Sequence, residues 1–263
     1  MKRICIIGAG WLGAELAKSL KAKGFYVIGT TRNSVKYKAI QGDFNKLFLF
    51  DFTESYLFPP IKIDVIVFTI PPSTTDLFIK HAFYLLTHIQ KVNPEVECIY
   101  TSSISVYGNT EGLVTEDSPL QPETDNSLKI VKLEKFISEE FQKYSILRLG
   151  GLVGGARHPV KFLQGKLKVK KPYSPVNLLH RYDAVGFIVS LIVKKKRGIY
   201  NLCSPSHPTK KEFYSALVEQ FDLKSIIFNE SDKQIGKIVT CKTVEQSGFE
   251  FKYQSVYNFP FEI

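Results

Sequence analysis

The segment TSSISVYGN, Thr101 to Asn109, gathers hydroxyl groups and one phenol where an apolar run opens into a polar loop. Side chains of these kinds can hold a substrate oxygen and pass it a proton. Ser102, Ser103 and Tyr107 are therefore candidates for chemistry, and the next question is which reagent they would serve.

The stretch IIGAGWLGAEL points to one. It places Gly8-x-Gly10-x-x-Gly13 directly after the first apolar run and ahead of an amphipathic stretch. In such a turn the first glycine permits a tight bend and the second lets backbone approach a pyrophosphate. The third lets the helix pack closely on the sheet. The anion rests on the N–H groups at the helix start, so Gly8, Gly10, Trp11, Leu12 and Gly13 are expected to hold a dinucleotide. A glycine-rich turn without a ligand is the alternative.

The end of the second apolar run, VIGTTRN, decides which dinucleotide. A carboxylate there would hold the ribose diol of NAD and repel a 2′-phosphate. Thr31 and Arg32 stand in its place, and hydroxyl and guanidinium groups bind phosphate. NADP(H) is favoured, with NAD(H) as the alternative. Asp51, ending LFLFDF, is placed to accept from the adenine amino group or to cap the next turn. Thr69 and Pro71 belong to TIPPS, a loop stiffened by two prolines that would pass the cofactor or simply turn the chain. Ser102 completes the expected cofactor set.

The elements that must position these residues alternate. Continuous apolar runs RICIIG, YVIGTT, KLFLFDF, DVIVFTI, ECIYTSS and YSILRLG are separated in several places by stretches with helical periodicity. That pattern predicts α/β architecture, a Rossmann doubly wound parallel sheet covered on both faces. Past Gly150 the alternation loosens, with a helix over Asp183–Val193, a strand GIYNLC and a capping box from Thr209 to Glu212. Residues 1–153 are read as the nucleotide-binding domain and 154–263 as a small C-terminal substrate lobe, with segments near 178–203 returning to the first domain.

The 263 residues, 44% apolar and 23% charged, suffice for a sizeable core. Four cysteines far apart suggest reduced thiols and a cytoplasmic location, with no metal site. The apolar runs are too short for a membrane span. The net charge of +10 comes from scattered lysines with two clusters, KVKK and KKKR, so a nucleic-acid partner is not favoured.

GAGWLG, TSSISVYG, LRLGGLVGGARHP, NLLHRYDAV and GIYNLCSPSHPTKKEFY together resemble the extended short-chain dehydrogenase/reductase family of epimerases and dehydratases. The similarity is closest to its atypical sugar-nucleotide-epimerase-like branch. The resemblance implies an NAD(P)(H)-dependent oxidoreductase acting on a nucleotide-linked sugar, with a homodimer as a further expectation. It makes Ser103 the catalytic hydroxyl and Tyr107 a pocket wall, with packing as the alternative, or the proton source if the usual donor is missing. Arg157 and His158 lie in the glycine-rich loop that would border the substrate, with a merely exposed loop as the alternative. The resemblance also implies a tyrosine and a lysine in YxxxK on the following helix. With Glu134 fixing the register, Asn126 and Ile130 occupy those positions, and Lys129 and Lys132 face elsewhere. A catalytically silent NADP(H)-binding regulatory or scaffold protein is therefore the alternative.

Overall fold

A computed structural model describes residues 1–51, 53, 58–157 and 159–260. The first half follows the predicted alternation: β1 (Arg3–Ile7), α1 (Trp11–Ala22), β2 (Tyr26–Thr31), α2 (Ser34–Ile40), β3 (Lys46–Leu49), β4 (Val65–Phe68), α3 (Phe78–Val92) and β5 (Glu97–Ser103). There follow β6 (Gly112–Val114), α4 (Asp125–Glu140), β7 (Tyr144–Leu149), β8 (Gly151–Val153), α5 (Val160–Leu163), β9 (Leu178–His180), α6 (Arg181–Lys194), β10 (Gly198–Leu202), α7 (Lys210–Gln220), β11 (Lys237–Val239) and α8 (Lys242–Gln246).

Seven strands form a parallel sheet in the order β10-β7-β5-β4-β1-β2-β3. The chain winds outward from β1 through β2 to β3, then returns to start β4 on the other side. This reversal leaves a crevice at the C-terminal strand ends, where ligands of open α/β sheets bind. Registers Ile7↔Thr30 and Ile7↔Phe68 align the ends of β1, β2 and β4. The central strands are continuous apolar runs because both faces are covered: Ile4, Ile6, Val65, Val67 and Ile99 are all fully buried.

The chain divides into two compact units. The first comprises residues 1–106, 122–148 and 185–199 and carries most of the sheet. The second comprises 107–121, 149–184 and 200–263, so it draws in the loop that follows β5. Its core gathers Val153, Val160, Phe213, Leu217 and Val256, joined by short parallel pairs β6–β11 and β8–β9. The capping box of α7 forms as expected: Thr209 Oγ1 accepts from Glu212 N at 3.2 Å and Glu212 Oε2 accepts from Thr209 N at 2.8 Å.

Candidate functional site

The glycine motif builds a cradle. Gly8 has φ of +105°, and a Cβ there would lie 2.9 Å from Thr69 Oγ1. A Cβ on Gly13 would meet the Gly8 carbonyl at 2.4 Å, so α1 can approach this closely only without a side chain. At Gly10 the same atom would meet nothing nearer than 3.8 Å, which leaves backbone open to a ligand. The first bond within α1 runs from Ala14 N to Gly10 O, so the amides of Trp11, Leu12 and Gly13 have no acceptor inside the helix. No acidic residue stands in that first turn. These features fit a pyrophosphate.

The cradle opens on a pocket of about 280 Å³ lined by Thr31, Arg32, Lys36, Asp51, Thr69 and Pro71, among others. Arg32 is exposed at its rim, and Lys36 stands in the first turn of α2, capped by Asn33 Oδ1 at 2.8 Å. Burial holds the Lys36 ammonium below the usual lysine range. Lys36 was not singled out from the sequence, although it lies four residues beyond Arg32, in the helix that starts at Ser34. Thr30, the other hydroxyl of TTRN, accepts at Oγ1 from Gly8 N at 3.0 Å and steadies the turn.

Other expected cofactor residues have partners of their own. Thr69 Oγ1 donates to the Gly8 carbonyl at 2.7 Å, so it buttresses the cradle as well as lining the pocket. Asp51 Oδ1 accepts from both the amide and hydroxyl of Thr53, at 2.9 and 2.7 Å, which is the turn-capping alternative. Ser102 is buried, and its hydroxyl donates to Glu134 Oε1.

Ser103, the last residue of β5, is half-buried, and its Oγ accepts from Ser105 N at 3.1 Å. Tyr107 is fully buried, and its hydroxyl donates to Asn201 Oδ1 at 2.7 Å. On α4, Ile130 belongs to a buried stripe with Leu133 and Ile137, whereas Asn126 is exposed. Lys129 reaches the segment after β4, with Nζ 3.5 Å from the Thr75 carbonyl and 4.0 Å from Asp76. Lys132 is exposed. Arg148 pairs with Glu134, its Nη2 2.9 Å from Oε2. Arg157 is exposed on a loop closed by mutual amide bonds with Gly154, and His158 lies outside the described residues.

His180 and Asp183 anchor the second unit. Asp183 Oδ1 accepts from Lys252 N at 2.6 Å, and burial pushes its carboxyl up to about 6 against the pull of that amide. Burial, aided by the charges of Arg181 and Lys252, pushes His180 down to about 4. The His180 contribution to stability is complete above its ordinary value near 6.5 and is lost as pH falls toward 4. The Asp183 contribution has the opposite slope, complete below its ordinary value of 3.8 and lost as pH rises toward 6. The two offset one another in the wild type. Asp183→Asn should therefore expose the histidine slope, melting much lower at a pH of about 4.5 than at about 6.5, by a margin larger than in the wild type. An equal margin in both proteins would refute the pairing of these slopes.

Among the described residues no group of three or more His, Cys, Asp or Glu side chains is arranged to hold a metal, and no helix is long and apolar enough to cross a membrane.

This sheet, cradle and second unit have the architecture of extended short-chain dehydrogenases/reductases. Solved structures agree in fold. ADP-L-glycero-D-manno-heptose-6-epimerase of Helicobacter pylori superposes with a TM-score of 0.77 at 18% identity, over 96% of this chain and 92% of that one. UDP-glucuronic acid 4-epimerase of Bacillus cereus, in complex with UDP-4-deoxy-4-fluoro-glucuronic acid and NAD, gives 0.75 at 17% identity, over 95% and 94%. No family model matches the sequence. Protein YeeZ of Escherichia coli (strain K12) is 34% identical over 275 aligned positions spanning 100% of both chains. The chain belongs to the YeeZ family.

Proposed function

We propose that the protein is an NADP(H)-dependent oxidoreductase of the epimerase/dehydratase kind, acting on a nucleotide-linked sugar or a similarly polar substrate. The observation that carries this reading is the pocket beyond the Gly8–Gly13 cradle, where Arg32 and Lys36 stand and no carboxylate ends β2. A ribose bearing a 2′-phosphate suits such a wall, because a guanidinium can bond two phosphate oxygens and an ammonium adds a second charge. The fold neighbours that bind UDP-sugars and NAD support the substrate and cofactor classes.

When bound, the nicotinamide would supply or accept hydride. The chain's own part would be to seat the pyrophosphate on the first turn of α1, fix the phosphorylated ribose with Arg32 and Lys36, and orient a substrate oxygen with Ser103. Gly8, Gly10, Trp11, Leu12, Gly13, Thr31, Thr69 and Pro71 would complete the cofactor contacts, and Arg157 and His158 would border the substrate. Titrating the protein with NADPH and with NADH tests the reading: tighter NADPH binding supports it, and binding of neither would defeat it.

A second reading is a catalytically silent NADP(H)-binding protein with a regulatory or scaffold role. The inward-bonded hydroxyls of Ser102 and Tyr107, with Asn126 and Ile130 on α4, favour it. Turnover separates the two. In an active enzyme Ser103→Ala should lower kcat/KM about tenfold, the value of one hydrogen bond to the reacting oxygen, with NADPH affinity preserved. A chain that binds NADPH and shows no Ser103-dependent turnover of any nucleotide sugar is the silent form.

A further inference from the structure

The KVKK cluster, Lys168–Lys171, plays no part in the cofactor reading, yet it is held in an unusual way. Lys168 and Lys171 both adopt φ of 56°, a left-handed conformation that non-glycine residues seldom take and that tends to mark functional constraint. The Lys171 turn is pinned on several sides: its amide donates to Asp232 Oδ2 at 3.0 Å, and Lys210 N and Lys211 N donate to the Ser174 and Pro172 carbonyls at 2.8 and 2.9 Å. This fixes the Lys171 side chain along one wall of a pocket contained within the second unit.

That pocket measures about 180 Å³ and is walled by Gly108, Asn109, Lys171, Ser174, Asn177 and Lys237, with Glu111 exposed at its edge. Lys171 Nζ donates to Asn109 Oδ1 at 3.0 Å, and Lys237 Nζ donates to the Gly108 carbonyl. Both acceptors are neutral, and among the described residues Lys171 makes no ion pair. An ammonium has three donors, so the one bond to Asn109 leaves Lys171 with capacity for an anion. Positive charge accumulates nearby as well: burial and then the Lys171 charge hold Lys210 below the usual lysine range, although Asp232 opposes them. Lys171 on its loop, Lys210 on α7 and Lys237 on β11 are half-buried ammonium groups whose mutual repulsion a bound anion would relieve.

From this geometry we infer that the pocket beside Lys171 and Lys237 binds a small phosphate-type oxyanion. Its volume falls below the roughly 300 Å³ at which whole drug-sized ligands are held. The occupant is thus free phosphate or the phosphate end of a larger molecule such as a sugar phosphate. Ser174, whose hydroxyl donates to the Gln234 carbonyl at 3.1 Å, walls the same space, and Asn177 Nδ2, which gives one hydrogen to the Lys237 carbonyl at 2.9 Å, keeps a second for a remaining oxygen.

Calorimetric titration of the purified full chain, free of dinucleotide and at constant ionic strength, tests the assignment. Inorganic phosphate should bind saturably at millimolar concentration or below. Lys171→Met should weaken it at least tenfold, and Lys171→Arg should retain it. If Lys171→Met does not fold, Asn109→Asp sets a carboxylate against the Lys171 ammonium and should weaken phosphate similarly. Glucose 1-phosphate binding tighter than phosphate assigns the site to the end of a larger ligand, and equal affinities assign it to the free ion. No saturable binding of either, or binding that Lys171→Met and Lys237→Met leave unchanged, overturns the inference. NADPH affinity, measured on the same variants, should not move. Loss of NADPH binding in the wild type would defeat the cofactor reading and leave this one standing.

Discussion

Arg148→Met is expected to destabilise the protein by about 3–5 kcal/mol, the cost of leaving one charge of a buried pair without its partner. Glu134 and Arg148 are 5% and 4% exposed, and the guanidinium meets the carboxylate through Nη2 at 2.9 Å and through Nε at 3.2 Å to both oxygens. The Ser102 hydroxyl closes the network on the Glu134 side. For a chain of this length each kcal/mol lowers Tm by roughly 2–4 °C, so a fall on the order of 10 °C should appear. Glu134→Leu combined with Arg148→Met removes both charges and should recover much of the loss, because the desolvation cost disappears with the pair. Urea unfolding of the two single variants and the double variant measures this coupling. Single variants within 1 kcal/mol of the wild type would show that the pair is not what holds α4 against β5 and β7. The network matters for function because it fixes the end of β5, one residue before Ser103.

The sheet was legible in the sequence because its strands are buried on both faces and read as unbroken apolar runs. The cradle was legible because steric demand at Gly8 and Gly13 admits no other residue. What escaped has a common physical basis. The partners of Ser102, Tyr107 and Asp183 lie 32, 94 and 69 residues away, and no local periodicity encodes a contact across that distance. The strands β6, β8, β9 and β11 have three residues each, too few for an alternation to register. Arg148 finds its partner Glu134 on a different element, 14 residues back in the chain. Lys36 was overlooked because its significance depends on where α2 starts. Asn33 sets that point by capping Lys36 N, which turns the lysine back toward the pocket that Arg32 borders.

Arg32→Ala should weaken NADPH binding about 10- to 100-fold, since hydrogen bonds to a charged group contribute roughly 1.5–3 kcal/mol and each 1.4 kcal/mol is tenfold. Lys36→Ala should act in the same direction with a smaller effect, because an ammonium meets phosphate as a single point charge and not as a planar fork. Both side chains line the pocket, and the exposed Arg32 can be removed without opening the core. NADH affinity should change little in either variant, since neither side chain then faces a 2′-phosphate. The selectivity ratio is therefore more informative than either constant alone, because a general loss of folding lowers both affinities together. Added salt should reduce the wild-type preference as well, given that Arg32 is exposed and its charge is screened. A ratio near unity in the wild type, or one that Arg32→Ala and Lys36→Ala leave intact, would return the wall beyond β2 to an ordinary solvated surface and make NAD(H) the better candidate for the cradle.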